Sequence, residues 1–235
     1  MNKYTPMNTI IREINKALHR QKLKPYYAKL EDMKRIHIES WSDEKLKEHA
    51  KELQNRAQSG IPLNDLIMEA AVLVAEVIWR LMGIRLYDAQ WVAGMALHEG
   101  HLVEMQTGEG KTLAAVLPAF LNALEGKGVH IFTFNDYLAS RDAAWMGPIY
   151  QYLGLTVGCV KEEQSFQDRK AAYAADITYL TAKQAGFDYL KDSLVYDKSK
   201  MVQLSFHYVL VDEADSILID EAGPVGRVIR VRLVI

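Results

Sequence analysis

Two stretches of this chain, VHIFTF at 129–134 and YVLV at 208–211, are almost wholly apolar. A strand with no polar side is stable only where both of its faces are covered, a condition met in parallel sheets enclosed by helices. The surrounding pattern agrees, because NDYLASRDAAWMGPIYQYL, LTVGCV, DRKAAYAA and DITYL alternate helical and strand character between those two runs. Such alternation predicts an α/β fold, a mostly parallel sheet with helices on both faces. Upstream, HLVEM at 101–105 reads as a further strand, and TLAAVLPAFLNAL as a helix that Pro118 should kink or restart. Residues 1–85 follow a different rule: they read as helices without β-branched runs. Met7, Ile10, Ile11, Ile14 and Leu18 share one face, Ser42 caps a helix that Gly60 and Pro62 end, and a third helix runs from Leu63 to Met82 and stops at Gly83. The expected organisation is a helical extension over 1–85 followed by an α/β domain over 86–235.

Composition narrows the function classes. With 49% hydrophobic and 25% charged residues among 235, the chain can bury a full core without disulfides or metals. Cys159 is the only cysteine, which rules out an internal disulfide and a multi-cysteine zinc site, and it reads as a buried bystander. A net charge of −2 gives no global attraction for polyanions, so nucleic acid is a disfavoured partner. The N-terminus lacks a secretory pattern, and the most apolar helix is interrupted by Glu69, Glu76 and Arg80. The expected location is the cytoplasm, with peripheral contact on the inner face of the plasma membrane. That contact would come from residues 1–35, where nine Lys or Arg face three acids beside the apolar stripe, a composition suited to anionic lipid.

The chemistry concentrates in MQTGEGKT, Met105 to Thr112. Its end matches a phosphate-binding loop, although Met105 stands where the pattern wants its first glycine. Gly108 and Gly110 let backbone N–H groups curl around anionic oxygens, with Thr107 and Glu109 beside them in the loop. Lys111 can reach the outer phosphates and the Thr112 hydroxyl can meet Mg²⁺. About a hundred residues on, YVLVDEAD places Asp212 and Glu213 at the carboxyl end of a buried strand, where open α/β sheets bind their ligands. Asp212 suits a metal held partly through water, and Glu213 suits orientation of the attacking water. Gln90, in YDAQ, carries an amide able to pair with both edge groups of adenine, which makes ATP or ADP the expected nucleotide. A solvent-exposed glutamine at a helix start is the plainer reading of the same residue.

The loop and its downstream run resemble the first motor domain of SecA, the ATPase that drives preproteins through the bacterial Sec channel. The resemblance also rests on GIRLYDAQ, FNDYLASRDA, YAADITY, GFDYLKD and VDEADSILIDEA, and covers roughly Asp43 to Ala222. That family also has a methionine at the first loop position, which removes the objection to Met105. The resemblance implies a RecA-like P-loop NTPase fold, with Gln90 on adenine and Arg85 beside it. It implies phosphate and Mg²⁺ binding by Gly108, Gly110, Lys111 and Thr112, completion of the metal and water site by Asp212 and Glu213, and coupling of nucleotide state to motion by Arg141. The Sec channel and a preprotein are the implied partners.

Departures from the family pattern matter too. Leu180, Ala182 and Lys183 replace a glycine and two asparagines, Lys191 replaces an arginine and Ser193 an asparagine, which puts interdomain functions of 180–193 in doubt. After Ala222 the family continues differently, whereas this chain reads GPVGRVIRVRLVI. The resemblance then implies either a truncated or atypical family member, or a chain that works with a partner supplying the second motor domain and its arginine finger. Since such a finger contributes about 10³–10⁵ in rate, nucleotide binding with slow hydrolysis is expected. The alternation in RVIRVRLVI suggests an added edge strand, a self-association site if left unpaired. Two other readings stay open on the residues alone: a nucleic-acid-dependent ATPase of DEAD-box type, from Asp212–Asp215, and a nucleotide-binding regulatory module without turnover.

Overall fold

The computed structural model describes residues 22–106, 108–203, 206–214 and 216–217. The stripe of Met7 to Leu18, Thr107 and the proposed C-terminal strand lie outside these described residues.

Three helices come first: α1 over 22–33, α2 from Asp43 to Gln58 and α3 from Leu63 to Met82. Ser42 caps α2 as the sequence predicts, its Oγ accepting the Lys45 N–H at 3.3 Å, with Asp43 and Glu44 in the first turn. The helix buries Leu46, Ala50, Leu53 and Ala57, one stripe at helical spacing. The next helix, α3, is apolar on most of its circumference and is correspondingly sunk into the core, burying Leu66, Ile67, Leu73, Val77 and Ile78 among others. Each such side chain contributes roughly 1.5–3 kcal/mol on leaving water. Gly83 ends α3 at φ +68°, a left-handed turn that returns its N–H to the Trp79 carbonyl at 2.8 Å.

Then follow α4 (Asp88–His98), a single turn α5 (Lys111–Ala114) and α6 (Val116–Ala123). The break at Ala115 is the restart that Pro118 foretells, since Pro118 has no N–H to offer the carbonyl of Ala114 four residues back. The remainder alternates: β1 (Val129–Thr133), α7 (Asp136–Tyr152), β2 (Val157–Cys159), α8 (Phe166–Tyr173), β3 (Ile177–Thr181), α9 (Ala182–Ser193) and β4 (Tyr208–Val211).

The four strands form one parallel sheet in the order β2-β3-β1-β4. Central β1 pairs Val129 with Ile177 on one side and with Tyr208 on the other, and all five of its residues are buried. Val129 and Ile131 face the larger core shared with α3, α6 and α7, while Phe132 joins Tyr173 of α8 and Ala185 of α9 in a second core. Both faces are therefore covered, as the apolar strands require. The larger core is continuous from Tyr26 to Leu210, so the leading helices and the sheet share it.

One expectation fails. HLVEM forms no strand: residues 101–106 run as irregular chain, with Leu102 72% exposed and only Val103 and Met105 half-buried. The cause is local. The N–H and carbonyl of Gln106 are both taken by Glu109, at 2.8 and 3.1 Å, so the run bends into the loop instead of extending the sheet beside β4. Among the described residues no helix is long and apolar enough to cross a membrane.

Candidate functional site

The carboxyl ends of β1 and β4 open onto the turn that leads into α5. Gly108 and Gly110 adopt φ of +88° and +79°, the left-handed region that glycine enters without strain. The carbonyl of Gly110 then accepts N–H bonds from Leu113 and Ala114 at 3.0 and 3.1 Å, so the helix starts directly from the loop. Lys111 is the first helical residue, and its side chain makes no hydrogen bond or close ion pair among the described residues, although its charge acts on Asp212. Its ammonium group has no described residue to donate to and is open to an anionic ligand.

Gln90 is buried on α4 and touches the loop directly. Its Oε1 accepts the Tyr87 N–H at 2.9 Å, and its Nε2 donates to the Glu109 carbonyl at 2.9 Å. A Cβ added at Gly110 would lie 2.2 Å from that Nε2, so a larger residue there would displace the Gln90 amide as well as strain φ. An amide has two donors and two lone pairs, so one donor and one lone pair remain for a ligand. Sequence spacing separates Gln90 from the loop by twenty residues and gives no hint of this contact.

Thr112 and Asp212 line one small cavity, of about 20 Å³, with Ala115, Ile131, Tyr179, Leu210 and Asp142. Two residues far apart in sequence thus converge where the metal reading needs them. The backbone N–H of Asp212 extends the ladder to Phe132 at 2.8 Å, which fixes the carboxylate at the sheet's end. Burial pushes the Asp212 carboxyl above its usual range; the Lys111 charge pulls it back, and Glu213 and Asp142 push it further up. Asp142 is a site residue that the sequence reading passed over. It is buried, and its Oδ1 receives the Nε of Arg141 at 2.8 Å and Nη2 at 2.8 Å. The one available signal was its place in FNDYLASRDA, immediately after Arg141.

Glu213 is exposed, and its N–H donates to Asp212 Oδ1 at 3.0 Å. With φ +56° it is the one non-glycine residue in the left-handed region among those described. Arg85 sits against Trp79. Its guanidinium lies 4.2 Å from the centre of the Trp79 ring, and it lines a larger cavity of about 260 Å³ with Lys34, Glu39, Asp88 and Trp91. Trp91 neighbours Gln90 on α4, but the loop residues do not line that cavity.

The residues at 180–193 that depart from the family pattern are well integrated. Leu180 is buried in β3, Thr181 caps α9 through the Gln184 N–H at 3.1 Å, and Lys183 and Lys191 point to solvent. Under α9, Asp188 holds Arg169 at 2.7 and 2.9 Å and Tyr173 at 2.9 Å.

A glycine loop, an unpaired lysine, and a threonine and aspartate facing one cavity at the carboxyl end of a parallel sheet define a nucleotide-binding domain of RecA-like P-loop type. Residues 7–225 match the SecA DEAD-like domain, and the chain belongs to that family. It is 53% identical over 185 residues to the protein translocase subunit SecA of Rubrobacter xylanophilus, covering 79% of this chain and 20% of that one. The SecA subunit of Thermodesulfovibrio yellowstonii is 47% identical, covering 92% of this chain and 27% of its own. The chain therefore spans about a fifth to a quarter of the length of these relatives. Among solved structures, a hypothetical ATP-dependent RNA helicase from Sulfolobus tokodaii matches 63% of this chain and 43% of its own at 22% identity, with a TM-score of 0.49.

Proposed function

We propose that this chain is the nucleotide-binding first motor domain of a SecA-type protein translocase, over 86–235, with 1–85 as a helical extension. The observation that carries the reading is the convergence of Thr112 and Asp212 on one cavity, next to Lys111, whose ammonium group makes no hydrogen bond among the described residues. In this reading the N–H groups of 107–112, those of Thr107 and Glu109 included, cradle the phosphates of ATP or ADP, and Lys111 donates to the outer ones. Bound Mg²⁺ would neutralise charge on the phosphate oxygens. Thr112 and Asp212 hold it, the latter partly through water, and that dehydration-averse ion suits a site with few protein ligands. No group of three or more His, Cys, Asp or Glu gathers as a metal cage among the described residues.

Glu213 orients water, and Gln90 pairs with adenine through its spare donor and lone pair while tying that contact to the Glu109 carbonyl. Arg85 borders the neighbouring pocket, and Arg141 relays the state of the site to α7. Turnover without a further cationic surface on the phosphates is slow, since an arginine finger contributes about 10³–10⁵ in rate. Preprotein, the Sec channel and anionic lipid at residues 1–35 are the partners of this proposal, with work on the cytoplasmic side of the membrane.

Titration of the purified chain with a fluorescent ADP analogue tests the reading. Binding that falls by about 100-fold in Lys111→Ala is expected, since charge-assisted bonds contribute about 1.5–3 kcal/mol each. Equal affinity in the two proteins overturns it. In a phosphate-release assay, Glu213→Gln should remove the residual turnover and leave binding in place.

A further inference from the structure

The small cavity holds one carboxylate that the proposed function does not use. Asp142, on α7, is 2% exposed. Both contacts from Arg141 fall on its Oδ1, and no described residue donates to its Oδ2. The residue lines the cavity with Thr112 and Asp212. Oδ2 is not one of the buried atoms sealed away without a partner, so it stays accessible to a donor that no described residue supplies. The cavity, at about 20 Å³, has room for a single water molecule.

We infer that Asp142 is a positioning residue for the metal: its Oδ2 accepts a hydrogen bond from a water on Mg²⁺ held by Thr112 and Asp212, while Arg141 locks its Oδ1. The inference rests on the nucleotide reading and extends it by one carboxylate. Mg²⁺ retains several of its waters and is bound through one or two protein oxygens plus phosphates, so an acceptor aimed at its hydration shell is what such a site lacks. Outer-shell partners of this kind fix the orientation of the inner ones, and their loss costs about 10–100-fold in metal affinity. Arg141 gains a defined task from the same geometry. It is 45% exposed at the side chain while Asp142 is 3% exposed, so the pair connects the metal's hydration shell to the protein surface across one ion pair.

The test uses the full chain and a fluorescent ADP analogue titrated with Mg²⁺, then repeated in a chelator. In Asp142→Asn the Mg²⁺ concentration at half-saturation should rise about tenfold, while affinity for the analogue without metal stays as in the unaltered chain. Asp142→Glu keeps a partner for Arg141 and secures folding, but displaces the free oxygen by a methylene; it should shift the midpoint severalfold in the same direction. Midpoints unchanged in both variants overturn the inference and leave the nucleotide reading standing. Failure of the unaltered chain to bind the analogue at all overturns both. A loss of thermal stability equal with and without Mg²⁺, with unmoved midpoints, would make Asp142 only the structural partner of Arg141 and also overturns the inference.

Discussion

Two buried acidic regions sit on opposite faces of the same sheet, and they are finished in opposite ways. On the α8–α9 face, Asp188 is saturated: Arg169, Tyr173 and Gln184 all donate to it, and Arg169 uses its other nitrogen on the Lys161 and Glu162 carbonyls. Asp192 likewise accepts the N–H groups of Val202 and Gln203 at 2.8 to 3.1 Å. On the loop face, Lys111 has no partner among the described residues, Asp142 keeps one oxygen free, and burial raises the Asp212 carboxyl. The first region closes its carboxylates on donors from the chain, although His130 Nδ1 and Gln203 Oε1 beside them have no partner among the described residues; the second gives its carboxylates fewer donors, which a ligand can supply. Charge alone does not separate a site from a scaffold here. The pairing of the carboxylates does.

The largest effect that would sharpen this contrast comes from the closed region. Arg169→Ala leaves Asp188 buried without its cationic partner, and removal of one member of a buried pair costs about 3–5 kcal/mol. Chemical denaturation should show that loss, while affinity for ADP stays unchanged wherever the variant remains folded. A tenfold loss of nucleotide affinity at full folding would break the division between the two faces.

A smaller effect on the same face depends on pH. His130, on β1, packs against the rings of Tyr173 and Phe206, and burial lowers its pKa from 6.5 to about 4. Its Nδ1 has no partner among the described residues. The depressed value means that the unfolded chain takes up a proton below pH 6.5 and the folded chain does so only near 4. The neutral ring therefore contributes stability above pH 6.5 that is lost as pH falls towards 4, about 3 kcal/mol in all. Stability measured across that window should slope in the unaltered chain and flatten in His130→Leu. Parallel slopes in the two proteins would show that other groups govern the acid limb.

Parts of this architecture could be read along the chain, and the reasons are local. Ser42, Gly83 and Pro118 act through their own backbone chemistry within four residues, so α2, the end of α3 and the break before α6 follow from sequence. The apolar β1 and β4 announce a covered sheet for the same reason. What escaped notice depends on distant partners. HLVEM has the composition of a strand, but Gln106, the residue that follows it, is turned back by Glu109, and only the folded loop shows that contact. Asp142 beside Arg141 reads as an ordinary neighbouring pair on a helix. Its meaning comes from Ile131, Tyr179 and Leu210 on three strands, which bring Asp212 to the same cavity. Gln90 was chosen for its amide, yet its approach to Gly110 needs the packing of α4 against α5.

The smallest predicted effect lies in the open region and has the opposite sign to the first. Glu213 holds φ +56°, a conformation that costs a residue with a Cβ roughly 1–2 kcal/mol. Its side chain is exposed, so the backbone gains nothing visible from the glutamate itself. Glu213→Gly should relieve that strain and stabilise the chain by about 0.5–1 kcal/mol after glycine's larger entropy in the unfolded state is set against it. Residual ATP turnover should vanish in the same protein while ADP binding persists. Strain retained at a residue whose removal stabilises the fold and abolishes turnover would tie the left-handed turn to the orientation of water. If Glu213→Gly instead destabilises the chain, the turn is held by interactions of the glutamate, and the loop face is less open than its unpaired groups suggest.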